Sequence, residues 1–185
     1  TGTFIQNDLN ISGGNDKNTY FFSLTNLQQE GIIRGSTYDR TNIRFNYNAK
    51  LNDIMDLSNK VAYTYTSANM TQGNSNVGGI QLGHLRTPAD FDNRDYIGVY
   101  TNSSGEEFPR RHRSYRRYLG NNENPIYNNP LWTTKEQLSL NQVNRITVTP
   151  QLTIKPKEWL QLITRANIDF ADDRRTFFFP RGSAG

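Results

Sequence analysis

The chain has 185 residues with 34% hydrophobic and 12% aromatic content, and its 21 Lys and Arg against 17 Asp and Glu leave a net charge of +4. So many aromatics with so little net charge argue against a disordered chain, which is poor in aromatics and usually strongly charged. The lack of cysteine excludes disulfides, thiolate nucleophiles and Cys-ligated metals.

No apolar run approaches the roughly 20 residues that a membrane-spanning helix requires, which excludes a helical membrane protein but not a barrel. Thr1 to Asn10 carries no signal-peptide pattern, so the chain is expected either to be cytosolic or to have its mature N-terminus elsewhere.

In chain order, period-2 alternation recurs in six segments. "FIQNDLNIS" aligns Ile5, Leu9 and Ile11, and "TYFFSLTN" aligns Tyr20, Phe22 and Leu24. Between them "GGNDKN" reads as a tight hairpin turn, because Gly and Asn tolerate positive φ. The cleanest strand is "NIRFNYNAKL", with Ile43, Phe45, Tyr47, Ala49 and Leu51 on one face and Asn42, Arg44, Asn46, Asn48 and Lys50 on the other. "NKVAYTYTSA" sets Val61, Tyr63 and Tyr65 against Ala62, Thr64 and Thr66. In "VNRITVTPQLTI" the apolar row Ile146, Val148, Leu152 and Ile154 contains Pro150, which removes a ladder donor and predicts a bulge or a strand subject to local distortion. "EWLQLITRANIDF" aligns Leu160, Leu162, Ala166, Ile168 and Phe170, with Ile163 and Thr164 breaking parity.

The predicted strands are thus roughly 4–12, 19–27, 41–52, 58–68, 139–154 and 158–171. Their connections take turns in length: "GGNDKN" is short, "QQEGIIRGSTYDR" longer, "NDIMDLS" short, 69–138 very long, "KPKE" short and "ADDRRTFFFPRGSAG" long. In an antiparallel meander this puts short turns at one end of the sheet and long loops at the other, the asymmetry of outer-membrane barrels. The expected fold is all-β: an antiparallel up-and-down meander of about six strands, part of a large transmembrane β-barrel with long extracellular loops. A soluble β-sandwich that binds carbohydrate through Tyr and Trp platforms is the alternative. Within the long loop, Val77, Ile80 and His84 at near-helical spacing, followed by Pro88, predict one short helix.

"LNISGGNDKNTYFFSLTNLQQEGIIRGSTYDRTNIRFNYNAKLND" resembles the hairpin that opens the barrel region of SusC/RagA-type TonB-dependent transporters of the Gram-negative outer membrane. "LRTPADFDN", "NPLW" and "WLQLITRANIDFADDRRTFFFPRGSAG" are similar, in order, to that family's long extracellular loop and following strand pair. The resemblance runs from about Gln6 to the C-terminus. It implies a barrel of about 22 strands filled by an N-terminal plug. It also implies import of oligosaccharides or peptides, a SusD-like surface lipoprotein as partner, and energy delivered by TonB to a segment that precedes the plug. The plug, the TonB-contacting box and a signal peptide are not found in this stretch, so residues 1–185 are expected to be a partial barrel whose strands meet outer-membrane lipid.

No enzymatic activity, cofactor or metal is expected. His84 and His112 lack partners at metal-ligand spacing, and the neighbouring pairs Glu106–Glu107 and Asp172–Asp173 read as solvated charge. The run "PRRHRSYRRY" brings Arg110, Arg111, Arg113, Arg116 and Arg117 together with Tyr115 and Tyr118. Because it falls in mid-loop, contact with anionic lipopolysaccharide, a partner lipoprotein or the other loops is expected, and no nucleic acid. Arg86, Asp90, Phe91, Asp92 and Asn93 could stack on a sugar and bond its hydroxyls, though bracing of the loop is the favoured role. Arg44, Arg145, Arg165 and Asp169 are expected to face the lumen, pairing internally and touching the plug rather than lining a solute path.

Overall fold

The computed structural model describes residues 2–71, 75–115 and 127–183. Its main sheet contains β1 (Phe4–Gly14), β2 (Asn18–Glu30), β3 (Thr37–Asn52), β4 (Met55–Asn69), β7 (Leu138–Lys157), β8 (Leu160–Arg165) and β9 (Ile168–Phe178). Every pairing is antiparallel, in the order β1-β2-β3-β4-β7, and both β8 and β9 pair with β7. The link from β4 to β7 carries α1 (Ile80–Arg86), a small hairpin of β5 (Ile97–Thr101) and β6 (Glu107–His112), and α2 (Pro130–Glu136).

The register carries more information than the element list. Leu9, Leu24, Ile43, Tyr63, Ile146 and Phe170 are successive cross-strand partners, and so are Ile11, Phe22, Phe45, Val61, Val148 and Ile168. Partners share a face, so apolar residues separated by up to 161 positions (Leu9 to Phe170) form continuous rows on one side of the sheet. A third row, Gly13, Tyr20, Tyr47, Asn59, Pro150 and Ala166, lies below them. At its edge the Tyr20 ring lies over Gly13, where a Cβ would collide with it. The opposite side is polar, with Phe21 and Ile163 among its exceptions.

No second layer covers the apolar rows among the described residues. Phe45 is 41% exposed and Phe170 62%, and the buried hydrophobic residues are only Ala49, Ala68 and Trp132. A soluble sandwich would bury those rows between two sheets.

Three expectations need correction. The connection read from "QQEGIIRGSTYDR" is only 31–36, because Gln28–Glu30 pair with Thr37–Asp39. "ADDRRTFFFPRGSAG" is largely strand, since β9 follows β7 out to Phe178. In both places the backbone ladder continues where side-chain alternation has stopped, because hydrogen bonding along a strand does not depend on which face is apolar. The long connection is also structured: its described residues include two short helices and a hairpin where one helix was expected.

Pro150 produces no bulge. Gln151 pairs with Arg165 and Val148 with Ile168, so β8 and β9 are one line in unbroken register. Ala166 N–H still donates to the Pro150 carbonyl at 3.1 Å; only the return bond is missing, because proline has no N–H.

Short turns gather at one end: 15–17, 53–54 and 158–159. The first is closed by Asn15, whose Oδ1 accepts from the backbone N–H of Lys17 (2.9 Å) and Asn18 (2.8 Å). At the second, Asn52 Oδ1 accepts from Ile54 N–H at 3.0 Å. Turn 31–36 and the long connection occupy the other end, where they are joined. Asn69 Nδ2 donates to the Gly35 carbonyl (2.8 Å), and the Ser36 and Thr71 hydroxyls are 2.6 Å apart. Gly35 has φ +85 and faces the Thr134 carbonyl of α2, so both its conformation and its surroundings require glycine.

Candidate functional site

Two regions carry the polar chemistry: the polar face of the sheet and the unit folded from the long connection. On the polar face most groups satisfy one another across strands. Thr25 Oγ1 donates to Asp8 Oδ1 (2.6 Å), Thr64 Oγ1 to Asn42 Oδ1 (2.9 Å) and Lys155 Nζ to Asp56 Oδ2 (2.9 Å). Of the four residues assigned to this face from sequence, Arg145 and Asp169 form an ion pair, with Nε to Oδ1 at 2.8 Å. Arg165 donates twice to Gln151 Oε1, at 2.9 and 2.6 Å. Arg44 stands apart from these pairs and lines a depression of about 280 Å³ together with Asn46, Lys60, Thr147 and Thr149.

The loop unit is organised around Trp132, which is 2% exposed. Its ring lies 6.1 Å from that of buried His112, and its Nε1 donates to Ser183 Oγ at 2.9 Å. The helix that carries it, α2, starts at Asn129-Pro130, a cap followed by a residue that needs no N–H there. Asn129 Oδ1 accepts from Leu131 N–H (2.9 Å), while its Nδ2 donates to the carbonyls of Asn93 (3.1 Å) and Arg113 (2.9 Å). Replacing Asn129 by Ala is expected to cost about 2–4 kcal/mol of loop stability, the sum of a lost cap and two stranded carbonyls. Asn129→Asp keeps the cap acceptor but turns a carboxylate on those carbonyls, so it is expected to be at least as damaging in hydrogen exchange.

The candidates Arg86, Asp90, Phe91, Asp92 and Asn93 are largely spent on holding this unit. Arg86 donates to the Asn76 carbonyl and Oδ1 (2.9 and 2.8 Å) and lies 4.3 Å from the centre of the Tyr127 ring. Phe91 sits under the Arg113 guanidinium at 5.2 Å, and Arg113 also pairs with Asp95. Asn93 gives its carbonyl to Asn129 and receives the Thr87 hydroxyl at 3.4 Å. Asp90 is exposed.

Asp92 is chelated by Arg94, and these side-chain bonds, followed by the Arg94 backbone N–H, hold its carboxyl down at about 2. A depressed carboxyl contributes to folding above its ordinary value and loses that contribution as pH falls through about 4 to about 2. The Asp92 carboxyl resonance is therefore expected to titrate near 2, and to rise towards 3.8 in Arg94→Gln. Both groups are exposed, so the bridge adds little to stability.

The described arginines of the run contact the loop unit itself, Arg110 while remaining exposed. Arg110 lies 3.7 Å from Glu136, and Arg111 covers the Phe108 ring at 5.5 Å. Arg116, Arg117 and Tyr118 lie outside the described residues. Among the described residues no group of three His, Asp or Glu is placed to hold a metal, and no helix is long and apolar enough to cross a membrane.

Sequence reasoning missed Asn129, Trp132 and Lys60. The Asn-Pro step could have announced the first two as a helix start; Lys60 continues the alternation of β4 and was simply not counted.

The sequence matches no protein-family model and no curated protein. Among solved structures, the chain is similar to the RagAB peptide importer in its closed-closed state (TM-score 0.62) and open-open state (TM-score 0.64), each at 18% identity over 93% of this chain. It is likewise similar to the RagAB peptide transporter, with TM-score 0.68 and 18% identity over 94% of this chain. In each case it spans 18% of the matched chain's length. The fold of the described residues is thus similar to that of a section of these chains.

Proposed function

We propose that this chain is a section of wall in a TonB-dependent outer-membrane transporter, with its apolar rows against lipid and its polar face lining a water-filled interior. The observation that carries this reading is the register, which gathers the apolar sides of all the long strands onto one uncovered face. From the row of Met55, Ile154 and Leu162 to the row of Ile43, Tyr63 and Ile146 is four two-residue steps. At about 3.4 Å per residue and the usual tilt this is roughly 20 Å of height, close to the apolar band of about 25 Å in such barrels. Above it the same face turns polar, at Asn7, Asn26, Thr41 and Asn144. Tyr63 and Tyr65 mark the upper boundary, and Trp159, which is 79% exposed beside a short turn, marks the lower.

The edges β1 and β8–β9 each leave a row of backbone groups that lipid cannot satisfy, so further strands of the parent chain flank them. The long connection then emerges at the outer surface and meets a SusD-like lipoprotein, while a plug and a TonB-contacting segment belong to other parts of the parent. Between oligosaccharide and peptide, the likeness to a peptide importer favours peptide. Arg44, Arg145, Arg165 and Asp169 face the interior in this arrangement, and Arg86 to Asn93 brace the outer unit. A soluble carbohydrate-binding sandwich is not favoured, because the apolar rows it would bury between two sheets are uncovered among the described residues.

The test is protease added outside intact cells that produce the parent protein. Cleavage in the exposed turn 102–106, with the 15–17 turn left intact, is expected. Recovery of the parent in the soluble fraction would contradict the reading.

A further inference from the structure

On the polar face many groups satisfy one another across strands, and those around Arg44 do not. Arg44 and Lys60 lie diagonally across the β3–β4 pair, since Arg44 pairs with Ala62 and Lys60 with Asn46. With Thr147 of β7 they line the depression of about 280 Å³. The other arginines and lysines of β7 to β9 on this face are committed: Arg145 to Asp169, Arg165 to Gln151, Lys155 to Asp56 and Arg175 to Asp173. Asp169, the carboxylate in the same cross-strand row as Arg44, is the one already held by Arg145. Within the described residues Arg44, Lys60, Asn46 and Thr147 have neither an ion pair nor a hydrogen-bonded side-chain partner.

Two adjacent cations, an amide and a hydroxyl facing one hollow make a donor-rich site with no acceptor of full negative charge. Arg offers a planar fork and Lys a mobile point charge, a combination suited to a carboxylate. The row of Arg44 falls between the Phe45 and Ile43 rows of the opposite face, and that of Lys60 between the Phe45 and Tyr47 rows, so the site lies behind the upper half of the apolar band. There a single uncompensated positive patch would act on any solute or chain segment that reaches it.

We infer that Arg44 and Lys60, with Asn46 and Thr147, form a carboxylate-binding site halfway along the polar face. This rests on that face being the interior of the transporter. The carboxylate comes either from a passing acidic solute or from another segment of the parent chain.

The experiment uses the full parent protein purified in detergent, with tetraglutamate and tetraglutamine as probes in calorimetry. Tetraglutamate is expected to bind more tightly than tetraglutamine, and Arg44→Gln with Lys60→Gln to weaken it about tenfold or more, since charge-assisted bonds are lost. That result identifies a solute site. If neither peptide binds, but the double variant melts several degrees lower while Arg44→Lys with Lys60→Arg does not, the site is filled by a carboxylate of the parent chain. A double variant with unchanged tetraglutamate binding and unchanged melting overturns the inference. Membrane fractionation of the same variants keeps the two readings separate: a variant that stays in the outer membrane but binds as wild type sinks the site and leaves the wall.

Discussion

Trp132→Ala is expected to cost about 3–5 kcal/mol in the loop unit while leaving the sheet in place. Trp132 is the one large apolar residue buried in the described structure, and it joins α2 to β6 through His112 and to the C-terminal segment through Ser183. Removing the indole leaves a void that Asn129 and Thr133, both fixed and buried, cannot fill. Hydrogen exchange should rise across α1, β5, β6 and α2 and remain slow in β2, β3 and β4, whose ladder does not depend on the loop. Trp132→Phe separates ring from hydrogen bond: it keeps most of the packing and loses the Ser183 contact, about 1 kcal/mol. Equal loss in both variants would mean that the indole N–H, not the ring, holds the unit.

The second large effect concerns β3. Phe45→Arg is expected to cost about 1–3 kcal/mol in the membrane-embedded parent, because its row lies between mid-bilayer, where a lipid-facing arginine costs about 2–4 kcal/mol, and the upper interface, where it costs about 0–1 kcal/mol. Asn46→Arg, one residue along and on the other face, is expected to change stability by less than about 0.5 kcal/mol. Folding yield in lipid vesicles, followed by gel mobility with and without heating, gives both values. Similar costs at the two positions would mean that the faces do not differ in solvent.

Alternation made the strands readable in the sequence wherever one face is apolar, which is why the faces of β3 and β4 were legible from Ile43, Phe45, Val61 and Tyr63 alone. Above that band both faces are polar, and the same backbone pairing leaves no period. Gln28–Glu30 and Asp172–Thr176 therefore read as loop although they are strand, and the apolar pair Phe177–Phe178 beyond them shows no alternation either. At Pro150 the missing donor is visible in sequence as a local distortion, realised as the break between β8 and β9, while the register that continues past it is not. The loop unit depends on meetings such as Trp132 with His112 and Asn129 with Asn93, which no local pattern announces. For the polar face, sequence placed Arg44, Arg145, Arg165 and Asp169 together but could not tell which were already paired. That distinction needs cross-strand register, and it is what isolates Arg44 and brings Lys60 beside it.

The most direct measurement is cysteine accessibility along β3 in the intact parent protein. Cysteines placed singly at positions 42 to 47 are treated with a membrane-impermeant maleimide and, in parallel, with a lipid-soluble one. Positions 42, 44 and 46 should react with the first and positions 43, 45 and 47 only with the second. Uniform reaction with the water-soluble reagent, or alternation of the opposite phase, would contradict a sheet with hydrocarbon on one side and water on the other.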